Sequence, residues 1–98
     1  MPTPEVIRQY AMRQTAVEDA LVHYRAGIAG ITEEIASLEA GLPSEIKTGG
    51  QAAEVREAKF QIARLEFDRF GLVETIEALK PEHAEAMAGP PDTDEESP

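Results

Sequence analysis

The chain has 98 residues, room for one small domain. It has no cysteine, which excludes disulfides and thiolate metal sites. Nineteen acidic residues against nine basic ones give a formal charge of −10, which opposes direct binding to nucleic-acid phosphates or to an anionic membrane.

The first predicted element opens at Thr3-Pro4-Glu5. Thr3 can cap, Pro4 suits a first helical position because its missing N–H would be orphaned there, and Glu5 sits at the positive end of the helix dipole. No basic segment followed by an apolar one stands here, and no apolar run nears the ~18 residues of a membrane span. The expected compartment is therefore the cytoplasm. The helix is expected over 4–40, where Gly41 can adopt a left-handed cap and Pro43 blocks continuation. Along it, Ile7, Tyr10, Gln14, Val17, Leu21, Tyr24, Ile28, Ile31, Ile35, Leu38 and Leu42 alternate at spacings of three and four. A heptad sustained this long predicts coiled-coil packing.

Residues 41–50 form the predicted connection, with Thr48 and Gln51 placed for a capping box. The second helix is expected over 51–80, its stripe being Val55, Ala58, Ile62, Leu65, Arg69, Leu72, Ile76 and Leu79. Pro81 disfavours helical geometry at Lys80, so 81–88 reads either as a short third helix or as a kinked extension of the second. Gly89-Pro90-Pro91 ends the helical region, and 89–98 reads as an acidic disordered tail that carries Asp92, Asp94, Glu95 and Glu96.

So short a connection implies antiparallel neighbours. The fold class is then all-α, an antiparallel two-helix coiled-coil hairpin over residues 1–88, expected to pack into an oligomeric helical bundle. Folding about the loop centre pairs positions whose numbers sum to about 93. Leu38 then faces Val55, Ile28 faces Leu65, and Leu21 faces Leu72.

A second row on the second helix, Phe60, Ala63, Phe67 and Phe70, is spaced 3-4-3 and holds all three phenylalanines of the chain. It lies off the first stripe and is the expected interface, since a contiguous aromatic row is seldom left in water. Gln14, Tyr24 and Arg69 form the expected polar core layer. Arg69 is expected opposite Tyr24, where such a residue sets register or oligomer state and, on a rival reading, receives an acidic group from a ligand.

Catalytic chemistry finds no constellation here. The serines have no histidine within reach in this register, and His23 and His83 read as solvated or edge residues. Neither histidine follows a Glu by three positions, as di-iron bundles require, and Glu82, His83 and Glu85 do not form a recognisable metal motif. Lys47-Thr48-Gly49-Gly50 lacks P-loop spacing and reads as turn chemistry. No cofactor or metal is expected.

The leading expectation is a non-enzymatic protein–protein interaction module that self-associates as a dimer or larger. It would act with another protein as an assembly, adaptor or chaperone-type component, as in phage or other macromolecular complexes. The alternative is a small acidic phage-type inhibitor that blocks a basic or nucleic-acid-binding surface. A third reading is a small-ligand binder at a site between protomers.

Overall fold

In the computed structural model, which describes residues 2–91, the chain is a helical hairpin of two α-helices, α1 (Pro4–Ala40) and α2 (Gly49–Ala88). Among the described residues there is no strand, and no helix is long and apolar enough to cross a membrane. The expected tail falls largely at 92–98, outside the described residues.

The caps follow from the sequence. Thr3 Oγ1 accepts from the Val6 amide at 3.2 Å, and Glu5 occupies the first turn of α1. Thr48 Oγ1 accepts from the Gln51 amide at 3.1 Å, while Gln51 Oε1 accepts from the Lys47 amide at 2.7 Å. This is a capping box whose return bond reaches one residue further back than the usual one. Thr48 is thus the cap, and Gly49 and Gly50 are already helical. The expected left-handed cap at Gly41 does not form. Its amide continues the helical pattern by donating to the Ser37 carbonyl at 3.2 Å, and Pro43 ends the run. The left-handed glycine is Gly89, with φ 79°, just past the end of α2.

Pro81 lies inside α2, which does not give way to a separate third helix. Loss of one amide and crowding of the preceding turn disfavour proline here. Opposing that cost, the 3-4 alternation continues beyond it: Leu79, His83 and Ala86 are all at least half-buried, Ala86 being 3 % exposed.

The chain divides into two compact units. The unit of residues 24–74 buries Ile35, Val55 and Ile62. Its helices lie about one heptad away from the expected register. Arg69 meets Thr32 (sum 101), and a Cβ added at Gly27 would lie 3.2 Å from Leu72 Cδ1 (sum 99). Leu72 therefore sits beside Gly27. A slip of seven keeps apolar positions on apolar positions, so the heptad alone does not separate the two registers. At the connection, Leu42 and Pro43 line a shallow hollow with Leu38, Val55 and Ala58. The first turns of α2 are thus covered partly by the connection.

The unit of residues 1–23 and 75–98 buries Leu21, Ile76 and Ala86. One of its cross-helix contacts joins Glu18 to His83 (sum 101). Ile7, expected in the stripe, is 51 % exposed, and Val6 takes the half-buried place. A straight helix drifts about 20° per heptad against a 3.5 repeat, so a strict stripe rotates away from the seam towards a helix end.

Candidate interaction face

In the unit of residues 24–74, each residue of the Phe row follows a seam residue of α2 by five positions. Phe60 follows Val55, Ala63 follows Ala58, Phe67 follows Ile62, and Phe70 follows Leu65. Five residues are about 140° around an α-helix. Burying the first stripe therefore turns the second outward. Phe60, Phe67 and Phe70 are 61 %, 76 % and 60 % exposed, and Ala63 is exposed with them. Val73 borders the row at 41 %. Arg56 and Lys59 flank its N-terminal end and Glu74 its C-terminal end, all exposed.

Of the expected polar layer, Arg69 and Gln14 have defined partners, Thr32 and Glu18. Arg69 is half-buried, and its Nη1 donates to Thr32 Oγ1 at 3.2 Å. That hydroxyl in turn donates to the Ile28 carbonyl at 2.8 Å. The guanidinium is thereby tied to α1 near Thr32, about one heptad from the position expected opposite Tyr24. Tyr24 itself is half-buried in the same unit. Gln14, also half-buried, belongs to the other unit, where its Nε2 donates to Glu18 Oε1 at 3.0 Å.

Glu18 and His83 form a contact that the heptad reading left out. His83 continues the stripe beyond Pro81, and its Nε2 lies 3.2 Å from Glu18 Oε1. The amide of Gln14, first, and His83, second, hold the Glu18 carboxyl below its ordinary value of 4.5. The signal for His83 was the unbroken 3-4 spacing from Ile76 through Leu79 to His83 and Ala86. His23 is exposed on α1. Arg13 stacks over the Tyr10 ring of its own helix at 5.2 Å from the ring centre.

Among the described residues no group of three or more His, Cys, Asp or Glu side chains is placed to hold a metal ion. Lys47, Thr48 and Gln51 are occupied with the entry to α2. The geometry offers an apolar helix face with charges of opposite sign at its two ends. No known family model, curated protein or solved structure matches this chain.

Proposed function

We propose that the chain is a non-catalytic helical interaction module that self-associates through Phe60, Ala63, Phe67 and Phe70, and serves as an assembly, adaptor or chaperone-type component. The observation that carries this reading is the exposure of three phenylalanines, 60–76 %, on one helix face. Burying each ring is worth roughly 2 kcal/mol, so the face has a strong tendency to leave water.

The thinness of the core supports the same reading. Among the described residues six are buried, while nine large apolar side chains are exposed. No described side chain is less than 2 % exposed. A helical hairpin with one such seam gains from covering its second stripe with further helices, as in a four-helix bundle. Blocking of a basic surface is less well supported. Arg56, Lys59 and Arg64 interrupt the acidic residues on α2 beside the row, whereas a phosphate mimic calls for an unbroken acidic face.

Light scattering on the full chain at micromolar concentration tests the proposal. The expected mass is that of a dimer or larger, and the Phe60→Ser/Phe67→Ser variant is expected to be smaller. A wild-type monomer would contradict the proposal.

A further inference from the structure

We infer that the partner on the Phe row is a second copy of this chain, bound antiparallel and isologously. In this contact Phe60 meets the second copy's Phe70, Ala63 meets its Phe67, and Arg56 meets its Glu74. The inference rests on the self-association proposed above and specifies its geometry.

The row and its flanks form one continuous stripe. Arg56, Phe60, Ala63, Phe67, Phe70 and Glu74 are spaced 4-3-4-3-4, and all are exposed in the same compact unit. That is the heptad spacing by which one helix packs along another. The stripe is apolar in the middle, basic at one end and acidic at the other.

An antiparallel pairing about a two-fold axis near position 65 matches each position with the one that completes a sum of 130. Every apolar residue of the row then meets an apolar residue. The small Ala63 faces the large Phe67, which lets the rings interdigitate without a void. At both ends Arg56 faces Glu74, so the same ion pair forms twice, as a two-fold contact requires. A parallel pairing in register does the opposite. It sets Arg56 on Arg56 and Glu74 on Glu74, where like charges repel, and it sets Ala63 on Ala63, which leaves a gap between the flanking rings. Charge and side-chain volume thus select the same orientation. The contact is also closed: each copy uses the same patch, so pairing consumes the row and does not propagate into a filament.

Charge reversal tests the orientation, because only an antiparallel contact joins position 56 to position 74. Sedimentation velocity over a concentration series gives the dissociation constant for the full-length wild type, Phe67→Ser, Arg56→Glu, Glu74→Arg, and the double variant Arg56→Glu/Glu74→Arg. Circular dichroism checks that all remain helical. Each single reversal places like charges at both ends of the contact and is expected to weaken dimerisation about tenfold. The double variant restores opposite charges and is expected to return to within about threefold of wild type. In a parallel contact the double variant would keep like charges on like and gain nothing. A double variant no stronger than the singles, or singles equal to wild type, overturns the antiparallel pairing. In that case loss of the dimer in Phe67→Ser would leave the self-association reading standing. A dimer that survives Phe67→Ser, or a wild-type monomer, overturns both.

Discussion

His83 Nε2 lies 3.2 Å from Glu18 Oε1, joining side chains 65 positions apart on two different helices. The contact has a sequence cause. Beyond Pro81 the stripe of α2 keeps its 3-4 spacing, and His83 falls at a seam position within reach of the carboxylate. Gln14, one turn before Glu18 on α1, donates to the same oxygen at 3.0 Å. Two donors thus converge on one carboxylate and favour its ionised form.

The acid response of the fold should register this. Glu18 has a native pKa below 4.5, its ordinary value. A carboxylate depressed in the folded state stabilises it fully above the unfolded pKa, and this contribution is lost as pH falls through the native value. Glu18→Gln removes the titration. The melting temperatures of wild type and Glu18→Gln should therefore differ by a constant amount above about pH 5.5 and converge below about pH 4.5. Parallel curves down to about pH 3 would show that Glu18 makes no such contribution.

The glycines of α1 separate helix propensity from packing. A Cβ at Gly30 meets nothing within 4 Å, whereas one at Gly27 meets Leu72 Cδ1 at 3.2 Å. Gly30→Ala should gain close to the full propensity difference, about 1 kcal/mol, and raise the melting temperature by roughly 4–8 °C. Gly27→Ala should gain clearly less, because Leu72 must yield a few tenths of an ångström. Thermal melts of the two variants side by side check the order. The reverse order would mean that Leu72 does not approach α1 at Gly27.

Arg69→Leu should keep the helical signal in circular dichroism and leave stability unchanged or higher by about 1 kcal/mol. The reason is local. Thr32 Oγ1 still donates to the Ile28 carbonyl when the guanidinium is gone, so no buried polar group is orphaned. What Arg69 supplies on this account is register, since its bond to Thr32 favours one of two heptad-related alignments. A large loss of helicity on substitution would contradict the assignment.

Much of this architecture was legible in the residues. Thr3, Pro4, Pro43 and Thr48 mark the helix boundaries because each acts on the backbone next to it, and the bounds of α1 follow the expected 4–40. The registration of the two helices was not legible, because a stripe repeating every seven residues fits its partner equally well one heptad along. The path of Leu42 and Pro43 beside Val55 and Ala58 goes with the observed alignment, and a loop of eight residues does not announce its path. Pro81 leaves two readings open, a third helix or an extension of the second, for a related reason. Its local cost is visible in the sequence, but the burial of Ala86 and the contact of His83 beyond it appear only when the partner helix is in place. The Phe row was readable as a 3-4-3 spacing, and its exposure follows from the offset of five residues from the seam. Arg69 was recognisable as a polar seam residue, but its partner Thr32 depended on the register.

We propose that a second copy completes a fold whose own seam is thin. The most direct test is the melting temperature of the full chain measured over about a hundredfold range of concentration, because folding coupled to association stabilises by mass action. The wild type should melt at progressively higher temperature as concentration rises. Phe60→Ser/Phe67→Ser should melt lower and at a temperature independent of concentration. A wild-type melting temperature that does not move with concentration would contradict the account.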